Sequence, residues 1–260
     1  MSTGLAVLLA LVLHPQPARA QSERFAALPT DDVSGLLSQG AAPAAGPGAA
    51  GKFLRDIGGD YKNSLSLETL WWLGGGGAAA AGAHQADQSI ANWVQSHSPS
   101  MPGGDLYGSQ IVQIPVALAW WWAGSAAGSA KQADVGRDLL RAQLLVAGWT
   151  YGIKYATGRT RPNGDPWSFP SGHASTSFAI AMVLQEQLGW KAGLPAFAAA
   201  AYTGASRVTG NWHWTSDVVF GAALGMASGR TVTLHMRDTK VSVAPLPVPG
   251  GAGVLLTATR

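Results

Sequence analysis

Apolar segments recur from Lys52 to about residue 229, and each is broken by Gly, Pro or charged positions. Their spacing predicts helices near residues 64–82, 86–96, 107–128, 134–157, 172–189, 192–204 and 215–229. Few alternating strand patterns appear before residue 230, so the body is predicted to be an all-α helical bundle. From Thr231 the pattern changes. Val241-Ser242-Val243 and Gly253-Val254-Leu255-Leu256-Thr257 flank a Pro/Gly-rich turn, which predicts a short β-hairpin-like C-terminal extension. Ahead of the body, residues 38–51 are low-complexity Ser, Gln, Gly, Ala and Pro, the composition of a linker or mobile arm.

The N-terminus has a different character. Leu5 to Leu13 is an apolar run, followed by His14-Pro15-Gln16-Pro17 and then Ala18-Arg19-Ala20. An apolar core, a helix-breaking stretch and an A-x-A site are the marks of a secretory signal peptide cut before Gln21, although no Lys or Arg precedes the run. The chain therefore divides into a signal peptide (1–20), a flexible N-terminal arm (21–51), a helical domain (52–230) and a C-terminal extension (231–260). Export places the protein in the periplasm, soluble or attached to the membrane. Leu106 to Ala130 carries no charge and is long enough to span a bilayer, which keeps an integral membrane protein as the alternative. Trp71-Trp72 and Trp120-Trp121-Trp122 fit interfacial anchors or bulky core filler equally well.

Composition narrows the function. Charged residues make up only 12% of the chain, against roughly 25% in ordinary soluble domains. With a net charge of +3 and no basic run, the chain lacks the electrostatic footprint of a nucleic-acid binder. The absence of cysteine excludes disulfides, thiolate catalysis and Cys-type zinc sites.

Against this sparse background three polar clusters stand out. In the first, Lys154 and Arg161 are seven residues apart. If the helix continues, they project from nearly the same face, where two cations need an anion to receive them. The second is Pro170-Ser171-Gly172-His173 at a predicted helix start. Free N–H groups there suit an anionic oxygen, Gly172 permits close approach, and His173 sits where it can donate a proton. The third runs from Ser206-Arg207 to His213 and Asp217. On a helix the i, i+4 spacing lets Asp217 orient His213, and Arg207 adds a fork matched to phosphate oxygens. A metal site built from His173, His213 and Asp217 is the rival reading, disfavoured by three neighbouring cations.

Together the clusters spell Lys-x6-Arg-Pro, Pro-Ser-Gly-His and Ser-Arg-x5-His-x3-Asp over residues 154–217. This resembles the signature of the type 2 phosphatidic acid phosphatase superfamily, which includes bacterial acid phosphatases and vanadium haloperoxidases. The gap between Pro162 and Pro170 is shorter than the broad signature usually allows, which puts a substrate-gripping loop from that region in doubt. The resemblance implies a helical bundle of the acid phosphatase/vanadium haloperoxidase type. It further implies attack on phosphorus by His213, orientation of that ring by Asp217, and protonation of the leaving oxygen by His173. Lys154, Arg161 and Arg207 would hold the phosphoryl oxygens, with further donors from the Ser171 and Gly172 region, and no metal or other cofactor is needed. The two histidines need opposite protonation states, so a bell-shaped pH profile on the acidic side is expected.

The expected activity is a metal-independent phosphatase acting on phosphomonoesters or diphosphates, with lipid phosphates suited to an apolar, Trp-rich chain. Its partners would be a phosphorylated lipid or small-molecule substrate and a membrane surface. The alternatives are an acid phosphatase acting on small soluble esters, a vanadium-dependent haloperoxidase, and a non-catalytic phosphate- or lipid-binding module. His84, His97 and His235 read as surface or packing residues, Asp165 and Trp167 as turn and packing residues. Arg159 would point away from the cluster if the helix continued through it.

Overall fold

The computed structural model describes residues 49–97, 100–234, 240–248 and 251–259. The proposed leader, all but the last three residues of the arm, and His235 lie outside them. The described chain runs α1 (Ala49–Asn63), α2 (Leu67–His84), α3 (Asp87–His97), α4 (Gly104–Gly108), α5 (Gln110–Ala126), α6 (Ala130–Thr157), α7 (Gly172–Leu188), α8 (Trp190–Thr209) and α9 (Thr215–Leu234). Two antiparallel strands follow, β1 (Lys240–Val248) and β2 (Gly251–Thr259), with Lys240 opposite Thr259 and Val248 opposite Gly251. The all-α body is thus observed.

Serine side chains start several of these helices. Ser66, Ser109, Ser129 and Ser171 accept from the backbone N–H of Thr69, Ile111, Gln132 and Ala174, each satisfying a donor that has no intrahelical partner. Helix α1 was hidden in the sequence because Gly58 and Gly59 dilute its pattern. Its Phe53 and Tyr61 nevertheless pack against the core, and Tyr61 Oη donates to Leu144 O at 3.0 Å. Arg141, which interrupts an apolar run, reaches Asp60 of α1 through two hydrogen bonds of 2.6 and 2.9 Å and Asp138 at 3.3 Å. All three side chains are buried, so the ion pairs tie α1 to α6 inside the protein.

The uncharged stretch Leu106–Ala130 is not one helix. Ser109 adopts an extended conformation between α4 and α5, and α5 has 17 residues, about 25 Å of rise. Among the described residues, no helix is long and apolar enough to cross a membrane. The tryptophans divide between roles: Trp120 and Trp121 pack on the core, whereas Trp71 and Trp122 are exposed.

Helices α7 and α9 form the centre of the bundle, and their contact depends on glycine. Gly221, Gly225 and Gly229 recur every four residues on α9 and lie against the α7 backbone. A Cβ on Gly225 would fall 2.2 Å from Ser175 O, and one on Gly229 would fall 2.6 Å from Ala179 O. Nothing larger than hydrogen fits without separating the helices. Gly225→Ala is therefore expected to destabilise the fold by about 1–3 kcal/mol, read as a lower Tm. Gly74→Ala, in α2 with nothing near its added methyl, should leave Tm unchanged or raise it. Equal effects from the two substitutions would show that the helix contact tolerates separation.

Candidate active site

Helix α6 ends where a left-handed residue ends it. Gly158 adopts φ 56°, and its N–H closes the last turn on Lys154 O at 3.0 Å. Lys154 therefore sits on the helix, while Arg159 and Arg161 belong to the loop that leads to α7. The expectation that one helix face carries both Lys154 and Arg161 is corrected: the loop, folded back, brings them to a common cavity. Ser168 N donates to Arg159 O at 2.7 Å, Arg161 N to Asp165 O at 2.8 Å, and Trp214 Nε1 to Thr160 O at 2.8 Å. Lys154 Nζ donates to Trp167 O at 2.6 Å and to Ser168 O at 3.3 Å, so its ammonium also pins the loop. Asp165 bonds within this turn, and Trp167 stacks edge-on with Tyr155 at 5.4 Å and lines the cavity.

Helix α7 begins at Gly172, with Ser171 as its cap. Ser171 is fully buried and its N–H donates to Asp217 O at 3.0 Å. Ser171 thus serves the helix start and the α7–α9 join. The N–H groups of Gly172 and His173, at the first two helical positions, have no intrahelical acceptor. Both residues line the cavity.

His213 precedes α9, which begins at Thr215, so its i, i+4 relation to Asp217 comes from a turn and not from a shared helix. Asn211 at φ 58° starts that turn, and the N–H groups of Trp212 and His213 both donate to Arg207 O. His213 Nδ1 lies 3.4 Å from Asp217 Oδ2, near enough for an ionic contact but not aligned as a hydrogen bond. Asp217 is fully buried and densely held: its carboxylate accepts from Ser168 Oγ, from Trp214 N at 2.9 Å and from Arg159 Nη1 at 2.6 Å.

The result is a cavity of about 390 Å³ whose lining includes Lys154, Arg161, Gly172, His173 and His213. Arg207, buried on α8, is not part of that lining and instead lines a separate pocket with Asp105 and Trp212. Its guanidinium and that of Arg161 lie over the ring of Trp212, at 5.4 and 5.8 Å from its centre. The Nε atoms of both arginines are buried without a hydrogen-bond partner. Among the described residues no group of three or more His, Cys, Asp and Glu side chains converges as a metal site, and Asp217 is committed to protein donors.

Burial governs the electrostatics. It pushes Lys154 down to about 8, helped by Arg161 and opposed by Asp217. It lowers His213 to about 4, with Lys154 and Arg161 adding to the effect and Asp217 opposing it. His173 is also lowered to about 4, by burial first and then by Arg207 and His213, with Asp105 opposing. Arg207 is lowered by burial as well.

Sequence reasoning placed Arg159 away from the cluster, whereas it contacts Asp217 directly. The signal was Gly158, a helix stop that frees the next residue from the helical face. Ser168, Trp212 and Ser216 fall within the span of the polar clusters in the sequence but had no role assigned there, and Asp87 was missed. His84 is exposed but bonds Asp87 at 2.9 Å, and His97 stacks on Trp93.

The pattern of the PAP2 superfamily matches residues 138–240, a stretch that contains every one of these signature positions. Over that stretch the chain is similar to the type 2 phosphatidic acid phosphatase superfamily. It is 39% identical over 89 residues to a lipid A 1-phosphatase of Porphyromonas gingivalis. That match covers 33% of this chain and 20% of the relative, so the chain spans about a fifth of the length of the curated relative it matches. Its fold is similar to that of a transmembrane PAP2-type phosphatidylglycerolphosphate phosphatase from Bacillus subtilis, with a TM-score of 0.56 and 21% identity. The match covers 66% of this chain and 95% of that one.

A dianion among these cations offsets their charge and favours imidazolium. Adding inorganic phosphate should therefore raise the His173 titration from about 4, read by NMR of the imidazole. An unchanged or lowered value would mean that phosphate does not occupy this cavity.

Proposed function

We propose that the protein is a metal-independent phosphatase that hydrolyses lipid phosphomonoesters or diphosphates through a phosphohistidine. The observation that carries this is the placement of His213, backed by buried Asp217, in the same cavity as Lys154, Arg161 and His173. Binding a phosphate would need the cations. A carboxylate-backed imidazole beside them adds a nucleophile.

Asp217 on Nδ1 favours the tautomer that leaves the Nε2 lone pair free to attack. Nε2 forms a bond to phosphorus as the ester P–O bond breaks, and the electron pair leaves with the alkoxide oxygen, which takes a proton from His173. The now neutral His173 accepts a proton from water, whose oxygen attacks phosphorus. Cleavage of the P–N bond releases inorganic phosphate and restores His213. Lys154, Arg161, Arg207 and the first N–H groups of α7 stabilise charge on the non-bridging oxygens in both steps. Neutral His213 is needed for attack, so turnover should fall as pH drops through about 4. Loss of the Lys154 proton above about 8 should weaken it again.

The apolar part of the cavity lining favours an apolar leaving group. Ile111, Ala147, Tyr151, Tyr155 and Trp167 form it, and Ile111 is 86% exposed. Similarity to a lipid A 1-phosphatase supports the same substrate class. We place the catalytic domain at residues 52–230, behind a removable leader (1–20) and an arm (21–51) and ahead of an extension (231–260). It acts outside the cytoplasm while attached to a membrane surface.

The test is phosphate release in EDTA from phosphatidate, polyprenyl diphosphate and p-nitrophenyl phosphate, beside His213→Ala. Release from the lipids that survives EDTA, and falls by about 10³-fold or more in the variant, is the expected outcome. Loss in EDTA would overturn metal independence, and preference for p-nitrophenyl phosphate would overturn the lipid assignment. Absence of release from all three would sink the phosphatase reading and turn attention to vanadate-dependent halide oxidation.

A further inference from the structure

Arg159 lies outside the signature positions, yet its guanidinium is shared between two buried carboxylates. Nη1 donates to Asp217 Oδ1 at 2.6 Å and to Ser216 Oγ at 2.8 Å, while Nη2 donates to Asp87 Oδ2 at 2.8 Å. Asp87, the first residue of α3, lies far ahead of the segment that matches the superfamily. It accepts from Ser216 N at 2.9 Å and from Ser216 Oγ at 2.6 Å, holding the residue next to Asp217 by backbone and side chain together. Arg159 also lies over the Trp214 ring at 5.6 Å, which fixes the plane of the fork.

We infer that Arg159 and Asp87 form a positioning clamp that sets the orientation of Asp217, and the charge it presents to His213. This rests on the reading of His213 as the nucleophile. The geometry leaves Asp217 little freedom. Arg159 takes Oδ1, Ser168 Oγ and Trp214 N take Oδ2, and Oδ2 so held lies 3.4 Å from His213 Nδ1. Arg159 withdraws charge from Asp217, and Asp87 tempers that withdrawal by sharing the cation. Burial opposes ionisation of Asp87, but the Ser216 donors, Arg159 and His84 outweigh it and hold its carboxyl below the ordinary range. Helix α3 thereby becomes part of the catalytic apparatus without touching substrate.

The sign of each substitution follows from the charges around His213. Asp217 faces it from α9, Lys154 from α6, Arg161 from the loop, His173 from α7 and Arg207 from α8, and Asp87 and His84 act on it through Arg159. Arg159→Gln removes a cation from the Asp217 shell, so His213 should take up a proton more readily. Asp87→Asn leaves Arg159 uncompensated, so His213 should take up a proton less readily. A merely structural pair would not move one titration in two directions.

The experiment uses the full chain with both variants and Arg159→Lys. It measures Tm, kcat and KM over pH, and the His213 ring titration by NMR, which does not require turnover. Arg159→Gln should lower kcat by about 10- to 100-fold with little change in KM. It should also shift the His213 titration upward by about half a unit or more, with a downward shift in Asp87→Asn. Arg159→Lys, which keeps the charge but not the fork, should restore the titration while recovering only part of kcat. Folded variants with wild-type kcat, or shifts in the same direction, would overturn the clamp. A wild-type protein without phosphatase activity would instead sink the functional reading, while opposite shifts in the His213 titration would still uphold the clamp.

Discussion

The active site exists because two helices touch backbone to backbone. The glycines of α9 let it settle onto α7, so that Ser171 N can reach Asp217 O at 3.0 Å. That single hydrogen bond joins the start of the helix carrying His173 to the start of the helix carrying Asp217. Side chains of ordinary size at Gly221 or Gly225 would push α9 off α7 and disturb the cavity that His173 and His213 share. Close packing here is therefore a condition of chemistry as much as of stability.

Around that contact the protein gathers cations that it does not neutralise. Lys154 spends two donors on loop carbonyls, and Arg161 and Arg207 rest on an indole, while Asp217 is held beside His213 by Arg159, Ser168 and Trp214. Burial strengthens each of these interactions and favours neutral imidazoles in the unliganded cavity, a preference that a bound dianion would offset at His173. The donors are thus ordered in the unliganded protein, which on the proposed reading leaves little reorganisation for a reacting complex.

Much of this could be read from the chain. Helices α2, α3 and α6 to α9 follow apolar spacing, and the polar clusters are conspicuous because charge is scarce. The seven-residue interval from Lys154 to Arg161 was legible, but its geometry was not, since Gly158 ends the helix between them. His213 and Asp217 come together through a turn whose shape depends on Asn211 in a left-handed conformation. The Asp87–Arg159 contact joins residues 72 apart, and no local pattern encodes it. Helix α1 was obscured for a further reason: it is held by Phe53 stacking on Trp121 of α5 and by Asp60 and Tyr61 bonding to α6, contacts that local propensity does not encode.

Trp212 has a consequence for how this site can change over evolutionary time. One indole supports both Arg161 and Arg207, although the two guanidinium groups come from different parts of the chain. Losing the ring removes a contact from both arginines at once. The effects of substitutions at these three positions will not add. The two arginines are thus coupled through one ring, and a change at Trp212 reaches both.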